Sequence, residues 1–147
     1  MKRILTGPRF VAEALRGGAR QDVHVVYVHE GDSESLREVR ELAERAKVRV
    51  EERSREALDG LSKGVKHQGV VAITGEYPYV EVAELLASGG PCPLFVALDS
   101  LTDPHNFGAI VRSAVAFGAH GILVPKHNAV GVTPVVVRVS AGATERA

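Results

Sequence analysis

Leu94-Phe95-Val96-Ala97-Leu98-Asp99-Ser100-Leu101-Thr102-Asp103-Pro104-His105-Asn106-Phe107-Gly108-Ala109-Ile110-Val111-Arg112 is the stretch on which the fold turns. Leu94–Leu98 is a short continuous apolar run, the pattern of a parallel strand buried on both faces. It delivers a polar loop carrying Asp99, Ser100, Thr102, Asp103, His105 and Asn106, and the spacing after it predicts a helix over Gly108–Phe117. Ile122–Val124 supplies the next strand. Strand, loop, helix, strand is a βαβ unit, and in such sheets ligands sit at the carboxyl ends of the strands. The same residues also have a purely structural reading. Asp99 and Asp103 cap the loop, Asn106 is the helix N-cap, Gly108 is turn chemistry and Arg112 is a surface residue.

Upstream the chain alternates in the same way. Gly7-Pro8 followed by Phe10, Val11, Ala14 and Leu15 predicts a short amphipathic helix ended by Gly17-Gly18. Val23–Val28 reads as a strand. Leu36, Val39, Leu42, Ala43 and Ala46 recur at helical spacing behind a Ser35-Leu36-Arg37-Glu38 capping box. A strand near Val48–Glu51, a short helix capped by Ser54 and a strand at Val70–Thr74 complete an α/β lobe. A helix around Val80–Ala87 runs into Ser88-Gly89-Gly90-Pro91-Cys92-Pro93, a dense cluster of breakers. The expected organisation is therefore a first domain over 1–77, a linker over 78–93 and a second domain over 94–147. Thr133-Pro134 is a good N-cap and first-turn pair, which makes Pro134–Val139 a helix despite its run of valines.

The chain has 147 residues, of which 45% are hydrophobic and 24% charged, enough apolar material for a core. Eighteen basic residues balance eighteen acidic ones, so the strongly basic signature of many nucleic-acid binders is absent. Local surpluses remain. Lys2, Arg3, Arg9, Arg16 and Arg20 face Glu13 alone in the first twenty residues, and Lys63, Lys66 and His67 form a second basic spot. A single cysteine, Cys92, excludes disulfide scaffolds and cysteine-based metal clusters. No window approaches eighteen apolar residues and no signal-peptide pattern opens the chain, from which a cytoplasmic location is expected.

Asp99, Asp103-Pro104-His105-Asn106, Gly108-Ala109 and Arg112 resemble the first signature motif of the SpoU (TrmH) family of RNA ribose 2′-O-methyltransferases, in the SPOUT superfamily. The resemblance continues through Gly118-Ala119 and Val124-Pro125-Lys126 to Ser140-Ala141-Gly142-Ala143-Thr144-Glu145. Gly7, Val11, Ala14-Leu15 and His67-Gln68-Gly69 are similar to the small RNA-binding domain of the RlmB-type branch, which methylates 23S rRNA guanosine. The resemblance implies an α/β fold, a substrate-binding domain followed by the first half of a SPOUT domain. Family members continue into a Gly-Ser-Glu-Gly-type loop and a Ser-Leu-Asn-type loop, which form the carboxy-terminal knot that binds S-adenosylmethionine. Only Arg146-Ala147 follow Glu145, so a chain truncated before the knot is expected, with no cofactor-binding residue of its own. Family members form homodimers through the knot region, and no well-defined dimer is expected of this chain.

What the resemblance implies chemically is transfer of a methyl group to a ribose 2′-hydroxyl, with Arg112, Asn106 and Glu145 as the catalytic set. A guanidinium with a pKa above about 12 is a poor general base. Arg112 is therefore expected to clamp the ribose and its phosphate and to favour an alkoxide-like transition state, with proton abstraction second. Asn106 would hold the arginine or the ribose, and Glu145 would fix that pair by accepting from the guanidinium. Arg3, Arg9, Lys63 and Lys66 would contact RNA phosphates, and His67 or Gln68 a base or the 2′-hydroxyl. The alternative for the last two is that Gln68-Gly69 is turn chemistry leading into a strand. Two rivals stand beside the methyltransferase: a non-catalytic RNA-binding module or remnant, and a nucleotide-dependent enzyme. The second lacks both a Gly-x-Gly-x-x-Gly turn after a strand and a Walker loop.

Overall fold

A computed structural model describes residues 2–17 and 22–145. They separate into two compact units, Met1–Pro78 and Tyr79–Ala147.

The first unit contains β1 (Arg3–Thr6), α1 (Pro8–Arg16), β2 (Val23–Val28), α2 (Glu34–Arg45), β3 (Arg49–Glu52), α3 (Arg55–Ser62) and β4 (Val70–Thr74). Its four strands lie in the order β1-β4-β2-β3, with β4 antiparallel to both neighbours and β2 parallel to β3. The strand β1 was not expected from sequence. It exists because Leu5 and Thr6 find buried places opposite Ala72 and Val71 of β4, a pairing made far along the chain. Pro8 opens α1, where its missing N–H costs nothing, and Val11, Ala12, Ala14 and Leu15 are buried on one face. The helix α2 is capped by Ser33, whose hydroxyl accepts from the Leu36 N–H, rather than by Ser35 as the capping-box pattern suggested. Ser54 caps α3 by accepting from the Ala57 N–H. The registers put Gly7, His29, Arg53 and Gly69 at one end of the sheet. There Gly7 N–H donates to Val70 O, His29 N–H to Gly69 O and Arg53 N–H to Val28 O.

The second unit contains α4 (Val82–Ser88), β5 (Phe95–Ala97), α5 (Pro104–Ala116), β6 (Gly121–Leu123) and α6 (Pro134–Val139), with a 3₁₀ turn at Ala143–Glu145. The strands β5 and β6 are parallel, and α5 is the crossover between them. Residues 79–93, read from sequence as a linker, belong to this unit. Leu85 of α4 sits against Gly121 so closely that a Cβ there would lie 2.4 Å from Leu85 Cδ1, and Val132 N–H donates to Tyr79 Oη at 2.9 Å.

Two expectations need correction. The helix α5 starts at Pro104, four residues earlier than expected, because Asp103 caps it by accepting from the His105 and Asn106 N–H groups. Asn106 is therefore inside the first turn and is not the N-cap. Nor is the Leu94–Leu98 run buried on both faces. Leu94 and Ala97 are exposed and Phe95 and Val96 half-buried, because this sheet has only two strands among the described residues. The core of the unit is Phe107, Val111 and Val136, with Leu98, Leu101, Ile122, Val124, Val130, Val132 and Ala143 packed around it.

Candidate functional site

In the second unit the carboxyl ends of β5 and β6 face the same way, so the loops 98–103 and 124–133 meet there. Val130 N–H donates to Leu101 O at 2.9 Å and ties them together. The Asp103 cap turns this polar loop directly into α5, whose inner face carries Phe107, Gly108, Val111 and Ala114. His105, Asn106, Ala109 and Arg112 are left on the exposed arc. Gly108 is not turn chemistry. It lies mid-helix where α6 crosses, and a Cβ there would meet Val139 Cβ at 2.7 Å and the Ser140 backbone nitrogen at 3.1 Å. The glycine of the motif is a packing requirement that brings the two helices together.

The expected Arg112–Asn106–Glu145 constellation is only partly assembled. Arg112 lies six residues beyond Asn106, about 120° around the helix, whereas seven residues separate it from His105, about 20° off the same stripe. Ala109 lies between His105 and Arg112, so the residue sharing a face with the guanidinium is the histidine. The i, i+7 spacing was the available signal for it. Glu145 is 2% exposed in the 3₁₀ turn packed on α5. Its Oε1 accepts from Thr144 Oγ1 at 3.3 Å. Among the described residues it makes no hydrogen bond or ion pair with Arg112 or Asn106, so its expected grip on that pair is not formed.

A groove of about 400 Å³ lies between β5 and α5, lined by Leu94, Val96, Ala109, Ile110, Ser113, Ala114 and Phe117. It offers one hydroxyl and no charged side chain to a ligand. A sulfonium cofactor with an amino acid tail needs charged or backbone partners that these residues do not supply. The lining of this groove therefore does not fit S-adenosylmethionine.

The first unit presents its cations unevenly. Arg9, Lys63, Lys66 and Gln68 are exposed, as RNA contacts need to be. Arg3 is turned inward onto its own unit, with its guanidinium 5.0 Å from the Tyr77 ring centroid and Nε donating to Gly75 O at 3.4 Å. Arg16 is paired with Glu13 and Glu38, which uses up part of the amino-terminal charge surplus. Arg20 lies outside the described residues. His67 is 4% exposed and does not reach the surface. Its Nδ1 accepts from the Gly69 N–H at 3.0 Å and its Nε2 lies 2.8 Å from Asp59 Oδ1. The exposed member of the pair is Gln68, at the first central position of a turn closed by Val70 N–H on His67 O. Gln68-Gly69 forms the turn leading into β4, and that turn leaves the Gln68 side chain in solvent.

Among the described residues no group of His, Cys, Asp and Glu could hold a metal ion, and no helix is long and apolar enough to cross a membrane.

Residues 4–80 match the family described as RNA 2′-O ribose methyltransferase substrate binding, and residues 93–147 match the SpoU rRNA methylase family. The 23S rRNA (guanosine-2′-O-)-methyltransferase RlmB of Bordetella pertussis is 39% identical over 146 residues, covering 97% of this chain and 59% of that protein. RlmB of Neisseria meningitidis serogroup B is 38% identical over 122 residues, covering 82% of this chain and 49% of that protein. Among solved structures, the SpoU methyltransferase AviRb from Streptomyces viridochromogenes superposes with a TM-score of 0.77 at 27% identity, covering 99% of this chain and 51% of that one. The same enzyme in complex with the cofactor AdoMet gives 0.76 at 28% identity over 98% of this chain and 52% of that one. The chain thus spans about half the length of the curated relatives it matches. With both units matched, in order, by the family's substrate-binding and methylase segments, the chain belongs to the SpoU family.

Proposed function

We propose that this chain acts in methylation of an RNA ribose 2′-hydroxyl, with 23S rRNA guanosine the substrate and S-adenosylmethionine the methyl donor, in the cytoplasm. The supporting observation is the second unit's polar loop and exposed α5 arc. They stand at the carboxyl ends of two parallel strands and carry the family's Asp103-Pro104-His105-Asn106 and Arg112. Arg112 has no side-chain partner among the described residues, so its five N–H donors are available to a ribose and its phosphate. In this reading the guanidinium holds the 2′-oxygen in line for attack and stabilises the negative charge that develops on it. Asn106 supplies an amide elsewhere on the exposed arc, and His105 on the Arg112 stripe is a further candidate for substrate contact. The first unit supplies affinity through Arg9, Lys63, Lys66 and Gln68, phosphate contacts positioning the RNA without reading it.

Binding and chemistry are tested apart. The 147-residue chain should bind a structured 23S rRNA fragment in a filter assay, with affinity falling as salt rises. In a family-length chain carrying this segment, Arg112→Lys keeps the charge and loses the planar fork. It should slow single-turnover methyl transfer at least a hundredfold, an order usual for loss of a donor used in the transition state, with RNA affinity little changed. Near-normal transfer by the lysine variant would overturn the role of Arg112. Binding by the chain with no transfer at family length would favour the non-catalytic module.

A further inference from the structure

We infer that His67 is a positioning residue for RNA recognition: its Nδ1, kept as an acceptor by the Nε2 bond to Asp59, holds the turn that presents Gln68, and it never touches the RNA itself. The inference rests on the reading above, that the loop between α3 and β4 contacts RNA. Because Nδ1 accepts the Gly69 N–H, the ring's single proton sits on Nε2, where it donates to Asp59 Oδ1. One tautomer is thereby fixed, and Nδ1 is left as the acceptor that holds the turn. The turn itself needs tying. Gln68 and Gly69 have φ of 49° and 81°, the backbone of a two-residue turn in which both central residues are left-handed. Glycine takes that conformation freely, whereas glutamine takes it at a cost. A strained residue kept with its side chain in solvent, directly above a buried and fully used histidine, is the arrangement expected where an exposed amide must be held in one place. Lys66 precedes the locked histidine and Lys63 ends α3, so one anchored segment carries two cations and an amide. Preordering it removes part of the entropy that RNA binding would otherwise spend on the loop.

Two isosteres separate the arms of the lock. Asparagine places an oxygen where Nδ1 stands and keeps the acceptor for Gly69. Glutamine places a nitrogen where Nε2 stands and keeps only the donor to Asp59. The experiment measures binding of a structured 23S rRNA fragment to the 147-residue chain and follows Gly69 amide exchange by NMR, with melting curves to establish folding. His67→Asn should bind within about twofold of the parent. His67→Gln and His67→Leu should bind about fivefold more weakly, the factor that loss of one ordinary hydrogen bond sustains, with faster Gly69 exchange. Lys63→Ala, Lys66→Ala and Gln68→Ala should weaken binding with Gly69 exchange unchanged. If those three bind like the parent, the RNA reading of the loop fails. If they weaken binding while folded His67→Gln binds like the parent, or if His67→Asn is as weak as His67→Gln, the lock fails and the RNA reading stands. Should His67→Leu not fold, the Asn and Gln pair carries the comparison alone.

Discussion

The two units handle apolar surface in opposite ways. Fifteen of the twenty buried apolar residues described lie in the first unit, among them Val11, Val26, Val39, Leu58 and Val71 at 0% exposure. The large apolar side chains left in solvent, among them Leu86, Leu94 and Phe117, all lie in the second. Four strands with helices packed on them make a core that closes on itself, whereas two strands crossed by α5 leave the β5 side open as a groove. The lesson concerns what each unit's residues are for. In the first, burial is complete and the polar groups of interest are exposed loops on a finished scaffold. In the second, α5 divides sharply into an inner face that packs on α6 and an outer arc on which the His105, Asn106 and Arg112 side chains have no partners among the described residues.

Core truncation should break this contrast most visibly. Leu58→Ala removes a fully buried side chain and should cost about 2–5 kcal/mol in urea unfolding. Leu94→Ala removes one that is 46% exposed and should cost less than about 1 kcal/mol. Equal losses would mean that the second unit buries Leu94 in solution, and the contrast would collapse.

A smaller loss is expected where α5 meets α6. Gly108→Ala gains about 1 kcal/mol of helix propensity, but its Cβ would lie 2.7 Å from Val139 Cβ and 3.1 Å from a backbone nitrogen that cannot move aside easily. Overpacking of this kind costs about 1–3 kcal/mol, so a net destabilisation of up to about 2 kcal/mol should appear in thermal melts. Stabilisation would show that the helices separate at no cost.

This close approach also shows where sequence reading stops. Local signals were legible: the Ser54 cap, the Thr133-Pro134 start of α6 and the strands at Val23–Val28 and Val70–Thr74 all stand as the residues suggest. What failed depended on distant partners. The four residues of β1 have no period to detect and acquire their meaning from β4, some seventy positions away. The cap expected at Ser35 falls at Ser33, so that Leu36, Val39 and Ala43 are the residues α2 buries. The site followed the same division. The motif residues were identifiable one by one, yet the pairing of His67 with Asp59 is made across the α3–β4 loop. The angular separation of Asn106 from Arg112 depends on α5 starting at Pro104.

Salt dependence of RNA binding sharpens the comparison from the functional side. If the first unit carries the phosphate contacts, Lys63→Ala and Lys66→Ala should each lower the slope of log affinity against log salt by about one. Arg112→Lys retains its charge and should leave the slope unchanged. A slope that falls with Arg112→Lys and not with the lysine variants would move the phosphate grip to the second unit.

The smallest expected effect is electrostatic and confined to the first turn of α3. The Glu56 carboxyl is held below its ordinary value of 4.5, first by its own backbone N–H and then by the Ser54 hydroxyl, with His29 adding a minor pull and Asp59 opposing it. Folding therefore lowers this acid's proton affinity, and the unfolded chain binds the proton more readily. The sign follows: Glu56 contributes stability above the ordinary carboxylate range, and that contribution disappears as pH falls through the lowered folded value. Glu56→Gln removes the titration while leaving a side chain of the same shape. Urea midpoints of parent and variant, measured from pH 6 down to pH 3, should differ most at pH 6 and converge in acid. A constant gap across that range would mean that the Ser54 cap acts without help from the carboxylate.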